Sequence, residues 1–294
     1  MNAREQGLLL LTSHLGDPER PVLTAAQLRT LSQRVRAAER DGAQGELREQ
    51  DLRRMGYSAQ MADKICRLLD AEAQLDYYLR KGCRSGCTPV SRVSAAYPPL
   101  LRKRLGEESP GCLWARGDLS LLQIPAISLV GSRDLREKNR QFARIVGHQA
   151  ALQGFALVSG NARGADREAQ EACLEAGGKV ISVVADSLED HAPRENMLYL
   201  AEDSFDFGFS TPRALSRNRV IHALGWRALV AQVSARSGGT WSGSVQNLRH
   251  GFSPLFCFED GSEGAHLLLQ MGAESVTMEM LSDFQSLKTE NLFA

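Results

Sequence analysis

The chain has 294 residues, a length that accommodates one large domain or two domains of ordinary size. Hydrophobic residues make up 43% and charged residues 24%, proportions that exclude a wholly disordered chain. Basic residues (Lys and Arg) and acidic residues (Asp and Glu) number 35 each, so the formal net charge is zero. This balance excludes a uniformly basic nucleic-acid-binding protein and directs attention to local charge.

The cysteines, histidines and apolar runs indicate the cellular location and whether a metal site is present. The six cysteines, at positions 66, 83, 87, 112, 173 and 257, show no paired framework, which predicts a cytoplasmic location. No run of eighteen apolar residues occurs, so we expect no membrane association. The histidines and cysteines lack the spacing of a metal site or of a nucleophilic triad. These patterns predict no metal site, and by themselves they indicate no cofactor and no catalytic residue.

Residues 1–82 are predicted to form a small all-α domain. Leu28, Leu31 and Val35 have helical spacing behind a capping Thr24. Residues 55–65, M-G-Y-S-A-Q-M-A-D-K-I, resemble a SAM-like or helix-hairpin-helix element, with Ser58 in place of its second glycine. We interpret this element as a structural or protein-contact unit in preference to a DNA-binding one. Residues 83–111 begin with a stretch rich in Gly, Ser, Thr and Pro, which predicts a linker or an extension of the neighbouring domain.

Residues 112–260 have a different pattern of apolar residues from the residues before them. Short runs rich in Val, Ile and Leu, at 126–130, 155–158, 179–185, 228–233 and 255–258, alternate with helical segments at 139–153, 166–176 and 241–250. This alternation predicts an α/β domain, a Rossmann-like parallel sheet with helices on both faces. The run 255–258 could be a buried final strand or a strand that meets a partner. Residues 261–294, with one Lys and five acids, are predicted to be an acidic C-terminal tail.

Glycine-bearing turns follow the predicted strands. Because the carboxyl ends of parallel strands share one edge of the sheet, ligands bind there, and glycine lets the backbone approach a phosphate. Arg133 and Arg163 add guanidinium groups suited to phosphate. Each turn alone could be merely a tight connection, but the set favours an anionic ligand. The turn residues predicted to bind phosphate are Gly131, Ser132, Arg133, Ser159, Gly160, Arg163, Gly164, Ser237, Gly238, Gly239 and Thr240.

A further basic element is Arg217-Asn218-Arg219, which could bind consecutive phosphates or form a solvated helical turn. Lys138 and Arg140 could extend the same patch, or belong to a solvated helix face. Asp166 is the one acid within a glycine-rich turn, and we interpret it as a helix cap in preference to a general base. The dinucleotide fingerprint and the P-loop are both absent from the sequence.

Taken in order, these motifs resemble the DNA-processing protein A family (DprA, also called Smf). The resemblance is carried by Y-P-P-L-L (97–101), W-A-R-G-D-L-S-L-L (114–122), G-S-R (131–133), S-G-N-A-R-G-A-D (159–166), A-G-G-K-V-I-S-V-V-A (176–185), P-R-E-N (193–196), S-R-N-R-V-I-H-A-L (216–224) and S-G-G-T (237–240). Gln170 stands near the place where the family usually has a histidine. The winged-helix domain that often ends such proteins is not expected, since about 36 residues follow Phe258.

This resemblance implies a cytoplasmic, non-catalytic protein that binds single-stranded DNA and presents it to a RecA-type recombinase in natural transformation. It also implies a homodimer formed through the Rossmann-like domain. By the same resemblance, Arg133, Arg163, Arg217 and Arg219 would line a basic DNA-binding pocket.

The alternative is a nucleotide-binding protein related to the LOG-type phosphoribohydrolases, acting as a nucleotide sensor or hydrolase. Their P-G-G-x-G-T motif and its following Glu are not matched by S-G-G-T-W-S, and no acid occurs between Ser237 and His250. Since cleavage of a glycosidic bond requires a carboxylate, Asp166 is the remaining candidate among the motif residues.

Overall fold

A computed structural model describes residues 1–38 and 47–287, so parts of the predicted N-terminal domain (39–46) and acidic tail (288–294) lie outside it. The N-terminal region is helical, as predicted. Its helices are α1 (Ala3–Thr12), α2 (Ala25–Ala37), α3 (Glu49–Arg54), α4 (Ala59–Leu69) and α5 (Glu72–Arg84). Ser58 caps α4 by accepting a hydrogen bond from the Met61 amide at 3.2 Å. Within α1, Leu8 and Leu11 pack among these helices, whereas Leu9 and Leu10 pack in the core of the following domain.

One nine-stranded sheet forms the centre of the second domain. Its strands are β1 (Thr88–Ser91), β2 (Cys112–Arg116), β3 (Ala126–Val130), β4 (Ala156–Ser159), β5 (Lys179–Val183), β6 (Met197–Glu202), β7 (Ala228–Val230), β8 (Leu255–Phe258) and β9 (Glu274–Val276). They are ordered β1-β2-β6-β5-β4-β3-β7-β8-β9. The strands from β6 to β9 are parallel, but β1 and β2 pair antiparallel at one edge. The Rossmann-like prediction is therefore confirmed, with the correction that the sheet is mixed.

Helices cover both faces of the sheet, as the alternating side chains of a buried strand require. In β3, Ile127 and Leu129 face one core, and Ala126 and Val130 face the other. The first core is covered by α7 (Glu137–Leu152) and α8 (Ala165–Glu175), together with α1 and α5. The second is covered by α6 (Pro99–Leu105), α9 (Thr211–Leu224), α10 (Gly238–His250) and α11 (Glu263–Gln270).

Two predicted boundaries differ from the structure. Residues 83–111, predicted to be a linker or extension, contain β1 and α6, because Val90, Leu101 and Leu105 are apolar enough to join the second core. The predicted tail contains α11 and β9, and Leu268 and Val276 are fully buried. Since β9 pairs with β8, the run 255–258 is an internal strand and does not itself form the edge of the sheet.

The strand register places three loops together. Ser128 in β3 is aligned with Val158 in β4 and with Ala228 in β7. The parallel strands consequently end side by side, and the loops after Val130, Ser159 and Val230 leave the same edge of the sheet. The helices α9 and α10 flank this edge, which sets the position of the site.

Candidate nucleic-acid interface

A cleft of about 520 Å³ opens at the carboxyl ends of β3, β4 and β7. We call it the main cleft. It is lined by Val130, Gly131, Ser132, Arg133, Asp134, Ala162, Asp166, Phe209, Thr211, Ala214, Leu215, Arg217, Asn218, His222, Ser234, Ser237, Gly238, Gly239 and Thr240. This is the crevice in which open parallel sheets bind ligands.

Glycine is required where the loops cross. Gly164 has a φ of +86°, and a Cβ there would come within 2.5 Å of the carbonyl oxygen of Ser132. At Gly131, a Cβ would lie 2.5 Å from that of Ala165. The amide of Ala165 donates to the Ser132 carbonyl at 3.2 Å, which joins the two turns. These glycines allow the turns after β3 and β4 to pack directly against each other.

Two arginines line the main cleft, and neither is engaged elsewhere. Arg133 is exposed on the loop after β3, and Arg217 reaches in from α9 against the backbone of Gly160. Within residues 1–38 and 47–287, neither guanidinium makes a hydrogen bond or an ion pair, and Nε of Arg217 is buried without a partner. Burial lowers the pKa of Arg217, while nearby Asp166 raises it. A partly buried cation without a partner is costly, so the site favours an anion.

Asp166 organises the loop after β4. One of its carboxylate oxygens accepts hydrogen bonds from the amides of Gly160 and Ala162, each at 3.1 Å. Burial raises the pKa of Asp166, and the positive charge of Arg217 and the two amides oppose this shift. Asp166 lies inside α8 and reaches back to the loop, so its role is structural, though it holds the loop and not simply the helix end that we predicted.

The inner wall of the main cleft contains His222, which is 1% exposed. Burial lowers its pKa to about 4, so the imidazole is neutral at physiological pH. Its Nδ1 is buried without a hydrogen-bond partner among the described residues. Asn218 lies nearby and donates to the carbonyl of Gly239 at 3.1 Å, which fixes the start of α10 beside α9.

The first turn of α10 forms the wall opposite β3. Ser237 precedes this helix, and Gly238, Gly239 and Thr240 begin it. Since the first amides of an α-helix have no partner within the helix, they and the helix dipole favour an anion at this end. The helix therefore adds to the two arginines as an anion-binding feature of the same cleft.

Nine of the predicted phosphate-binding residues line the main cleft. They are Gly131, Ser132, Arg133, Arg217, Asn218, Ser237, Gly238, Gly239 and Thr240. Ser159, Gly160 and Gly164 do not line the main cleft, but they belong to the end of β4 and the loop after it, which support its wall. The hydroxyl of Ser159 is buried and accepts a hydrogen bond from Gln170 at 2.6 Å.

The remaining predicted residues point elsewhere. Arg163 is exposed at the rim and pairs with Asp134 at 2.6 Å. Arg219 faces away from the main cleft and pairs with buried Glu202 at 2.7 Å, because residues two apart on a helix point about 200° apart. The two residues predicted to extend the basic patch also have partners within the protein. Lys138 lies over the ring of Phe258 at 5.2 Å, and Arg140 pairs with Glu168.

Several residues that line the main cleft were not predicted from the sequence. Phe209, which is 59% exposed, and Leu215, which is 43% exposed, carry no motif and reach the cleft only through the placement of α9. His222 was visible within R-V-I-H-A-L, but a histidine in an apolar helix is usually a core residue. Among the described residues there is no group of three potential metal ligands and no helix long and apolar enough to cross a membrane.

Comparison with known proteins places this cleft in a family. The family model described as DNA recombination-mediator protein A matches residues 89–285. DNA processing protein DprA of Streptococcus pneumoniae is 32% identical over 200 residues, which cover 60% of this chain and 68% of that protein. Protein Smf of Escherichia coli is 30% identical over 211 residues, covering 65% of this chain and 55% of Smf.

Solved structures agree on the fold. The crystal structure of DprA from Streptococcus pneumoniae aligns with a TM-score of 0.68 at 24% identity, covering 88% of this chain and 96% of that one. DNA processing protein A from Helicobacter pylori, described for its single-stranded DNA binding mode, aligns with a TM-score of 0.56 at 24% identity and covers 67% of this chain and 94% of its own. Because the family model matches about two thirds of the chain, including all but the first residue of the sheet and every loop of the main cleft, this chain belongs to the DNA recombination-mediator protein A family.

Proposed function

We propose that the main cleft binds the sugar-phosphate backbone of single-stranded DNA. The observation that carries this proposal is the pair of guanidinium groups of Arg133 and Arg217, which line one cleft and have no hydrogen-bond or ion-pair partner among the described residues. Guanidinium groups bind phosphates through paired N–H donors, and a nucleic-acid backbone presents such phosphates in series. The family membership supports a DNA-processing role for the whole chain.

The two acids of the main cleft are engaged within the protein, and neither makes an ion pair with Arg133 or Arg217 among the described residues. The Asp134 carboxylate pairs with Arg163 at the rim, and Asp166 directs its charge at two backbone amides. Arg133 and Arg217 consequently remain available to a ligand. Since Arg219 points away, Arg133 and Arg217 would bind about two phosphates. A third phosphate would be bound if Arg163 released Asp134 and paired with the DNA strand. A short, open site of this kind suits a flexible single strand.

We further propose that the protein is not an enzyme, acts in the cytoplasm as a homodimer, and presents the bound strand to a RecA-type recombinase. The description of its family as recombination mediators supports the recombinase as partner. Sedimentation at tens of micromolar tests the dimer, and a purely monomeric result would reject it. Co-purification with a RecA-type recombinase, with and without oligonucleotide, tests the partnership.

Binding is tested by fluorescence anisotropy with labelled oligo-dT between 50 and 200 mM salt. At about 0.7 per phosphate contact, two to three contacts predict a slope of log affinity against log salt of about −1.4 to −2. Arg133→Ala and Arg217→Ala should each weaken binding at least fivefold. Arg80→Ala is the matched control, since Arg80 is exposed on α5 and does not line the cleft. A flat salt response, or equal losses in all three variants, would reject the proposal.

The nucleotide-hydrolase alternative is supported by the two carboxylates of the main cleft, Asp134 and Asp166. Incubation with AMP and other nucleoside monophosphates, followed by chromatography, tests it directly. We expect no released base, because Asp166 is occupied by backbone amides and Asp134 by Arg163. Release of base that disappears in Asp166→Asn would establish the hydrolase in place of the DNA-binding protein.

A further inference from the structure

A second groove runs from the main cleft along α9 and α10. Its volume is about 590 Å³, and it lies between Arg219 on α9 and Trp241, Gln246, Arg249 and His250 on α10. Leu215 borders both this groove and the main cleft. In addition, Thr240 lines the main cleft, and the next residue, Trp241, lines the groove. The two sites therefore adjoin at Leu215, and a strand that leaves the cleft at this end would pass beside the groove.

The groove combines an aromatic surface with positive charge. Trp241 is half-buried, with one part packed on the second core and the rest facing the groove. Arg249 is exposed and makes no hydrogen bond or ion pair with any residue in 1–38 or 47–287. None of the residues lining the groove is acidic. Aromatic rings that stack bases, beside cations that bind the backbone, are the elements of single-strand binding surfaces.

A purely structural explanation accounts for only part of this arrangement. Arg249 lies in the last turn of α10, where a cation stabilises the helix dipole. That role does not require a groove, an absence of acids, or an indole facing solvent. His250, in contrast, stacks on Phe252 with ring centroids 5.5 Å apart, so it is partly engaged within the protein. Trp241 and Arg249 are thus the aromatic and the cationic side chain of the groove that remain for a ligand.

We propose that single-stranded DNA bound in the main cleft continues into this groove, with a base stacked on Trp241 and a phosphate bound by Arg249. This inference rests on the proposed function of the main cleft. From Thr240 to Arg249, α10 extends about 14 Å. At about 3.4 Å per nucleotide of a stacked strand, the groove adds up to about four nucleotides. The groove thus sets the length of DNA that the protein covers.

A length series of oligo-dT separates the two sites. Affinity should rise as the oligonucleotide grows beyond the few nucleotides that fill the main cleft, and then level off. Trp241→Ala should lower the affinity for a 15-mer at least fivefold and leave the affinity for a 4-mer unchanged. Arg249→Ala should lower the salt slope of the 15-mer by about 0.7. Tyr77→Ala and Arg80→Ala, exposed positions on α5, are the matched aromatic and charge controls.

Intrinsic fluorescence gives a second measurement. The chain has three tryptophans; Trp114 is fully buried, and Trp226 lies at the opposite end of the strands. Quenching by the 15-mer should therefore arise from Trp241 and be lost in Trp241→Phe, which retains a ring and should retain most of the affinity. This variant also controls for loss of packing in Trp241→Ala.

The outcomes distinguish the groove from the cleft. Binding of the 4-mer that is equal to binding of the 15-mer would overturn the groove proposal and leave the main cleft intact. Equal losses of both oligonucleotides in Trp241→Ala would assign that effect to altered packing and also overturn it. If no length binds, or if binding is insensitive to Arg133→Ala, the proposed function itself fails.

Discussion

Asp166 offers the sharpest test of how the cleft is built. It is 6% exposed, and one carboxylate oxygen accepts from the amides of Gly160 and Ala162, both at 3.1 Å. The charge of Arg217 also favours the ionised carboxylate. Asparagine can place its single acceptor oxygen at the same point, whereas alanine leaves both amides without a partner. The two substitutions therefore separate the hydrogen bonds from the charge.

The magnitudes follow from these contacts. A hydrogen bond to a charged group contributes about 1 kcal/mol more than a neutral one, but burial raises the pKa of Asp166, so desolvation of the charge outweighs this gain at pH 7. Asp166→Asn keeps the acceptor oxygen and removes that desolvation cost, so it should change the free energy of unfolding by about 1 kcal/mol or less. In Asp166→Ala, two buried donors lose their acceptor at about 1–3 kcal/mol each, which predicts a loss of about 4 kcal/mol.

Urea denaturation at pH 7, followed by circular dichroism, measures both variants. The midpoint should change little in Asp166→Asn and fall clearly in Asp166→Ala, with an unchanged dependence on urea. Asp118→Asn is the matched control: this exposed aspartate also accepts a backbone amide, from Ser120 at 2.8 Å, and its substitution should have little effect. A loss below about 1 kcal/mol in Asp166→Ala would refute the role assigned to the carboxylate.

Three further predictions concern positions around the site. Gly147→Ala should cost about 2 kcal/mol in urea denaturation, since a Cβ there would overlap the carbonyl of Ala169 and separate α7 from α8; an unchanged midpoint would contradict this packing. Arg163→Ala should change the free energy of unfolding by less than about 0.5 kcal/mol, because both it and Asp134 are exposed; a larger loss in the same assay would show a structural ion pair. Burial raises the pKa of Glu202 from 4.5 to about 7, so the native state retains a proton that the unfolded chain loses. Stability should therefore decline by about 3 kcal/mol as pH rises from 4.5 to 7, and Glu202→Gln should abolish that decline; equal pH profiles of the two proteins would refute the shift.

Local sequence determined much of the fold. The apolar runs at 126–130 and 255–258 match β3 and β8 in both bounds, because a buried parallel strand needs continuous apolar residues. Glycine at 131 and 164 marked the turns, since no side chain fits there. The motifs, taken in their order along the chain, were sufficient by themselves to indicate the family.

Other features depended on contacts between distant parts of the chain. The strand β1 follows a Gly- and Ser-rich stretch and exists because it pairs with β2, a long-range contact that a local pattern does not encode. The helical phase of α9, set by packing Val220 and Ile221 on the sheet, turned Arg217 into the main cleft and Arg219 towards Glu202. Sequence thus identified which residue types could bind phosphate, whereas tertiary packing decided which guanidinium groups remained free to do so, because an arginine's availability depends on the acids that the fold brings beside it.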